Sequence, residues 1–212
     1  MLHIVETPNR ADFRNLLDEM WVLRARVFRD RLQWDVDVRE GKEIDRFDSD
    51  DPLYILSVND DTGRLEGSVR LLPTTGPNML RDVFPVLLPE GEIVESPIIW
   101  ESSRFCIEPD MDHAGVGRIN RVTTELLCGL VEVGLRANLS HIVSVYDARM
   151  ARIFRAANCP ATIIGKPVRI GRVMTYAGLF EISQSLWNDI AETAGITSSV
   201  FAPSSGDRIA VA

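Results

Sequence analysis

The chain is poor in cysteine, histidine and tyrosine, with three of each among 212 residues. Cys106, Cys128 and Cys159 stand far apart. An odd count without a close pair excludes a disulfide framework and gives no zinc-ligand spacing, so these thiols are expected reduced and buried as small apolar groups. His3, His113 and His141 are equally scattered, and no metal site is expected from them. Basic residues are outnumbered 31 to 23 by acidic ones, for a net charge of -8. That excludes a face-wide nucleic-acid surface, although not a local basic patch. No segment approaches the ~20 apolar residues of a membrane span. The leading MLHIVETPNR lacks the apolar core of an export signal. The expectation is a cytoplasmic protein with no nucleic-acid partner and no membrane insertion.

What is present is ordinary for a globular domain: 45% apolar and 25% charged residues. A disordered, collagen-like or coiled-coil chain is excluded. At this length roughly 70% of the unfolded surface can be buried, so one domain needs no staple.

Leu2 to Val5 reads as a first strand. A helix is expected from about Arg10 to Arg31 with Asn9 as cap, its stripe made of Phe13, Leu16, Leu17, Met20, Val27 and Phe28. Arg24 falls on that stripe. Either its stem packs and its head reaches solvent, or it is aimed into an internal cleft that holds an anionic partner. The acidic stretch from Trp34 to Pro52 carries Trp34 and Phe47, which argue that it docks onto something. Strands Leu53–Val58 and Gly67–Leu72 suggest a hairpin. Glu101 to Ile107 is a strand candidate. Strict alternation puts Glu101, Ser103, Phe105 and Ile107 on one face and Ser102, Arg104 and Cys106 on the other.

Gly115-x-Gly117 precedes a long helix to about Asn138, with Ile119, Val122, Leu126, Leu130 and Val133 at helical spacing. Backbone N–H groups at such a turn bind anions, but a plain strand-to-helix turn fits as well, and Asp110 and Asp112 beside it disfavour a pyrophosphate. A strand at His141–Tyr146, a helix at Ala148–Ala157 and a strand pair at Ala161–Ile170 and Val173–Ile182 follow. The order implies a three-layer α/β domain, helices on both faces of a mixed central sheet. The domain is expected over residues 1–195, with a frayed tail over 196–212.

The polar and aromatic residues are more specific. In order the chain reads Arg24-x3-Phe28-x5-Trp34-x10-Asp45-x2-Asp48, then Arg70, then Phe84, then Glu101-x-Ser103-Arg104. The local text is R-x-x-V-F, E-x-D-x-F-D, G-x-x-R-L-L-P-T and E-x-S-R-F. This set resembles the acyl-homoserine-lactone synthase (autoinducer synthase) family of bacterial quorum sensing, from the first strand to about residue 185.

The resemblance implies an N-acetyltransferase-like fold and an acyltransferase. Its substrates would be S-adenosyl-L-methionine and an acyl thioester on acyl carrier protein or coenzyme A. Its products would be an N-acyl-L-homoserine lactone, methylthioadenosine and the free thiol carrier. No separate cofactor is implied, because S-adenosylmethionine is itself a substrate. Arg24, Phe28, Trp34, Asp45, Asp48, Arg70 and Phe84 would bind S-adenosylmethionine. Physical chemistry agrees: the aspartates offset positive charge, Phe28 and Trp34 offer aromatic faces to a sulfonium or adenine, and Arg24 and Arg104 hold carboxylates of the ligand or of the two aspartates. Glu101, Ser103 and Arg104 would form the catalytic group. Glu101 would accept a proton from the amine through a water, or alternatively pair with Arg104 or Arg70.

An apolar acyl pocket is expected between the strands and the long helix, with Leu126, Val143, Val145 and Phe154 as candidates. Some relatives carry a threonine near this strand when the acyl chain is 3-oxo; the stretch here, Ile142 to Tyr146, has Ser144 and Tyr146 instead. Arg149, Arg152 and Arg155 give the following helix a basic sector for an acidic acyl carrier protein, or simply a solvated face. The alternative with the same element order is an acetyl-CoA-dependent N-acetyltransferase.

Overall fold

The computed structural model describes residues 1–108 and 119–202. Asp110, Asp112, His113 and the Gly115-x-Gly117 turn lie outside them, as does the tail from residue 203 onward.

Strand β1 (Leu2–Val5) leads through a 3-10 segment, Thr7–Phe13, into α1 (Arg14–Arg24), which continues as a π-helix over Ala25–Arg31. The single helix expected from Arg10 is therefore three windings. Asn9 is not its cap: Glu6 is, and the Glu6 N–H donates to Asn9 Oδ1 at 2.8 Å. The acidic stretch folds into a short ribbon, β2 (Val38–Arg39) and β3 (Lys42–Glu43), and a 3-10 turn over Arg46–Ser49. Strands β4 (Leu53–Val58) and β5 (Leu65–Pro73) form the expected hairpin. Then come α2 (Met79–Asp82), β6 (Ile99–Ile107), α3 (Arg121–Arg136), β7 (His141–Asp147) and α4 (Ala148–Ala156). Strands β8 (Thr162–Ile170) and β9 (Val173–Glu181) and helix α5 (Gln184–Glu192) complete the order.

Seven strands form one sheet in the order β1-β4-β5-β6-β7-β9-β8. Only the β6–β7 pair is parallel, which requires a long crossover, and α3 lies within it. Helices α3 and α5 and Phe154 of α4 cover one face with Leu53, Ile55, Val69, Leu71, Ile142 and Phe180. Helix α1 covers the other face over Tyr54, Leu56 and Cys106. Leu80 and Leu87 cover Val143 and Ala177 on that same side. The three-layer arrangement with a mixed sheet is the one expected.

Two irregularities position the site. First, β6 carries a bulge. Ser68 faces Cys106 and Arg70 faces Ser103, so three steps on β6 match two on β5, and Arg104 has φ +53°. An inserted residue reverses the alternation. Arg104 therefore shares the α1 face with Glu101 and Ser103, while Phe105 and Ile107 pack with α3. This corrects the strict alternation read from the sequence. Second, β6 and β7 pair only from Ile99↔His141 to Ser102↔Ser144. Both strands run on beyond that point, and the gap between them opens into the interior.

The chain after Ile196 also departs from expectation. Val200 and Phe201 are buried, the Leu2 N–H donates to Val200 O at 3.0 Å, and the Ala202 N–H donates to Leu2 O at 3.1 Å. Up to Ala202 this segment pairs with the free edge of β1, because an exposed strand edge carries unpaired N–H and C=O groups that a chain end can satisfy. Helix α5 was not read from the sequence, although Ser183 caps it by accepting from the Leu186 N–H at 3.1 Å.

Gly165 sits in the bulge of β8 at φ +72°, where an added Cβ would fall 1.9 Å from the Leu87 carbonyl oxygen. We expect Gly165→Ala to destabilise the fold by about 2–4 kcal/mol, from left-handed backbone strain plus displacement of the segment around Leu87. Urea unfolding of both proteins measures this.

Candidate active site

Three arginines from three elements meet three carboxylates from the acidic stretch. Arg24 leaves the last turn of α1, Arg70 lies within β5 and Arg104 within the β6 bulge. Glu43 ends β3, Asp45 caps the following 3-10 turn and Asp48 lies inside that turn. Arg24 Nε donates to Glu43 at 2.5 Å, and its two terminal nitrogens hold Asp48 at 2.8 and 2.9 Å. Arg70 grips Asp45 at 2.5 and 3.0 Å and reaches Asp48 at 3.0 Å. Arg104 donates to Glu43 at 2.8 Å and approaches Asp45 to 2.9 Å. The Tyr54 hydroxyl donates to Asp48 at 2.6 Å.

The six charges cancel. Forked guanidiniums meet carboxylates two bonds at a time, which makes such a cage possible away from water. Of the two readings open for Arg24, the internal one holds: it is completely buried. Burial alone would lower its pKa, but the Asp48 and Glu43 carboxylates raise it. Burial alone would likewise raise the Asp48 carboxyl, and the guanidiniums of Arg24 and Arg70 with the Tyr54 hydroxyl hold it far below the usual range. Asp45 is the most open of the three acids, with its side chain 16% exposed against 1% for Glu43 and 4% for Asp48.

Aromatic rings line the cage. Phe28 and Trp34 lie 5.3 Å apart at 33°, and the Arg104 guanidinium sits 5.1 Å from the Phe28 centroid. The π-helical winding carries Phe28, and the Trp34 N–H returns to Phe28 O at 2.8 Å. Phe47 is buried beneath Arg70. The Met79 thioether accepts from Arg70 at 3.4 Å and from Arg104 at 3.3 Å. Phe84 follows α2 and packs half-buried near Met79 and Phe47.

Glu101 takes neither arginine as a hydrogen-bond partner, contrary to the pairing open in the sequence. Its two carboxylate oxygens accept from the N–H groups of Met79 at 2.8 Å and Leu80 at 2.6 Å, at the start of α2. It is 1% exposed. Burial pushes its carboxyl up to about 7, against the downward pull of those two N–H groups and of Arg70 and Arg104. Ser103 is a neighbour of the cage: its hydroxyl accepts from Arg70 Nε at 3.1 Å.

A cleft of about 130 Å³ adjoins the cage and continues through the gap between β6 and β7. Phe28, Trp34, Met79, Phe84, Ser103 and Arg104 line its cage side. Ser102 and Ser144 flank the place where the strands part, and the Ser144 hydroxyl donates to Ser102 O at 3.1 Å. Leu127, Leu130, Ile142, Tyr146, Phe154 and Phe180 line the interior part. Of the four acyl-pocket candidates, Val145 and Phe154 border the cleft. Leu126 and Val143 do not. Leu126 points from α3 into the core under the sheet, and Val143 faces the opposite side against Leu80 and Leu87. Their neighbours one position away, Leu127 and Ile142, take the lining role, since one step rotates about 100° on a helix and changes face on a strand.

Arg149, Arg152 and Arg155 are all exposed on α4, and Arg149 borders the cleft. Among the described residues no group of three or more His, Cys, Asp or Glu side chains could hold a metal ion. None of their helices is long and apolar enough to cross a membrane. Glu43, Tyr54 and Met79 are not among the residues expected at the site. Glu43 had a signal, since it opens the E-x-D-x-F-D text, but Tyr54 and Met79 had none.

The autoinducer synthase family model matches residues 9–190 of this chain. An acyl-homoserine-lactone synthase of Rhizobium etli is 40% identical over 186 residues, covering 86% of this chain and 85% of its own length. One from Pseudomonas aeruginosa is 36% identical over 171 residues, covering 79% and 84%. Among solved structures, the AHL synthase LasI superposes with a TM-score of 0.78 at 32% identity, covering 91% of this chain and 94% of its own. The CoA-dependent acyl-homoserine lactone synthase BjaI, solved with SAM and isopentyl-CoA, superposes at 0.83 with 25% identity, covering 94% and 91%.

Two pH effects of opposite sign follow from the buried acids. Glu101 keeps its proton up to about pH 7 when folded and loses it near 4.5 when unfolded. Between those values the unfolded state binds fewer protons, so stability falls as pH rises, by about 3 kcal/mol from this group. We expect Glu101→Gln to remove that slope. Asp48 acts in reverse: its stabilisation is present above the unfolded carboxylate pKa and is lost as pH falls. We expect Asp48→Asn, which leaves Arg24 and Arg70 short of a charge, to destabilise by about 3–5 kcal/mol at neutral pH. Guanidinium unfolding across pH 4 to 8 checks the Glu101 slope, and the same unfolding at pH 7 checks the cost of Asp48→Asn.

Proposed function

The chain belongs to the autoinducer synthase family and is an acyl-homoserine-lactone synthase, and from that premise we propose that its charged cage receives S-adenosyl-L-methionine and the adjoining cleft the acyl thioester. The observation that carries this assignment is the shared wall. Ser103 and Arg104 of β6 face the cage and line the cleft, so two reactants held there would meet along one strand.

In this reading Asp45, the most open acid, faces the ammonium or sulfonium, and Phe28 and Trp34 give aromatic faces to the cation or the adenine. Arg104 turns an N–H group toward the methionine carboxylate, Arg70 fixes Asp45 and is itself steadied by Ser103, and Arg24 and Asp48 hold the cage from behind. Phe84 closes the cage side of the cleft. The amine, once neutral, attacks the thioester carbonyl. The C–N bond forms, the C–S bond breaks and the carrier leaves as a thiol. The carboxylate oxygen then displaces methylthioadenosine from the γ-carbon, closing the lactone as the sulfonium takes the electron pair of the broken C–S bond. An α-amino group titrates at about 7.7–8.0, so a carboxylate near 7 is a matched acceptor for its proton through a water. Glu101 has that pKa while its oxygens also fix the start of α2. In the same scheme backbone N–H groups of β6 support the oxyanion.

No separate cofactor enters this scheme; S-adenosylmethionine is consumed as a substrate. The acyl donor is acyl carrier protein or coenzyme A, with the arginines of α4 the docking surface for the acidic carrier. The enzyme works in the cytoplasm, in keeping with both substrates and with the absence of a membrane-spanning helix among the described residues. A plain acetyl-CoA-dependent N-acetyltransferase would release no methylthioadenosine, and that product separates the two activities.

We expect Glu101→Gln to lower kcat by about 10²–10⁴ with a much smaller rise in the KM for S-adenosylmethionine. Weakened binding with turnover intact would remove Glu101 from the base role. Reversing charge at Arg152 and Arg155 should raise the KM for acyl carrier protein substrates and leave acyl-CoA substrates nearly unchanged. Equal effects on both donors would refute the docking surface. Methylthioadenosine release is the assay for each.

A further inference from the structure

Helix α3 carries a buried carboxylate that the charged cage does not use. Glu132 is 9% exposed and accepts from Trp187 Nε1 at 3.0 Å, Ser199 Oγ at 2.6 Å and the Val200 N–H at 3.0 Å, with Arg136 at 3.5 Å. Three of these four partners belong to α5 or the segment after it. A carboxylate withdrawn from water needs such donors, and here they tie the carboxy-terminal part of the chain to α3.

The tie bears on the cleft. Leu186, next to Trp187, lines the cleft together with Ile182 and Leu130. Ile142 and Phe180 are register partners on the same face, in the region where β6 and β7 are still joined. Ser144, where those strands part, lies two residues from Ile142, about 7 Å along the strand. A chain entering at the gap and running back under the sheet passes Ile142 and Phe180 within the cleft that Leu186 also lines.

We propose that Leu186, seated by the Glu132–Trp187 hydrogen bond, sets the length of acyl chain that the enzyme accepts. The inference rests on the lactone-synthase reading and adds a specificity residue and its support to it. Glu132 and Trp187 do not touch the acyl chain; they position the helix that does.

The test offers the full chain a competing series of straight-chain acyl donors, as coenzyme A and as acyl carrier protein thioesters, and reads the lactones by mass spectrometry. Leu186→Ala should move the preferred product to chains about two carbons longer, since truncating a buried leucine leaves room for the missing carbons. Leu186→Val should move it the same way by less, and Leu186→Trp toward shorter chains. Trp187→Phe, which keeps the ring and loses the N–H, should broaden the product range with the KM for S-adenosylmethionine unchanged. An unaltered product distribution in the folded Leu186 variants overturns the proposal. A wild-type protein that makes no lactone and releases no methylthioadenosine from any donor overturns the underlying reading instead.

Discussion

Six charged side chains meet in one cage, with Arg24, Arg70, Glu43 and Asp48 buried, and each is tolerable only because the others are there. Arg24, Arg70 and Arg104 reach the cage from α1, β5 and β6, while Glu43, Asp45 and Asp48 reach it from a stretch of chain with little regular structure. Taking one such ion out of water unpaired would cost several kcal/mol. The acidic stretch therefore folds onto the sheet instead of staying in solvent, and Phe47 and Tyr54 pack beneath it. The cage clamps the fold and walls one side of the candidate site.

The sheet supplies the other half of the arrangement through two local faults. The bulge at Arg104 turns an arginine that should face α3 toward the cage, and the early end of the β6–β7 ladder opens a path from the cage into the apolar interior. A regular strand pair would have closed that path and placed Arg104 in the core of the opposite face. The left-handed backbone at Arg104 is a strained state for a non-glycine residue. Its guanidinium is held by Glu43 and by the Phe28 ring, contacts that favour that geometry.

Much of the fold was legible because burial is periodic. The hairpin, the long helix α3 and the last strand pair all carried spacing that only one local structure satisfies. The candidate site was legible for a different reason: charged and aromatic residues at unusual places stood out against a plain background. Arg24 on an apolar stripe was the clearest, since a guanidinium there needs a buried anion. Less was legible where a residue's partner is distant in sequence. Tyr54 reads as an ordinary strand residue until Asp48 is placed beside it. Met79 reads as core until two arginines are seen donating to its sulfur. The burial of Val200 and Phe201 depends on an open edge of β1, which a polar tail cannot announce.

The sequence alone determined the order of the main strands and helices as far as β9, the mixed sheet, and the identity of nearly every charged residue of the candidate site, because side-chain chemistry and local periodicity are properties of short segments. The tertiary structure alone decided which charge meets which, that Glu101 holds the start of α2 instead of an arginine, and that Ile142 and Leu127 line the cleft where Val143 and Leu126 do not. Those outcomes turn on one-residue shifts of register and on contacts between segments tens of residues apart. Neither leaves a mark on local composition.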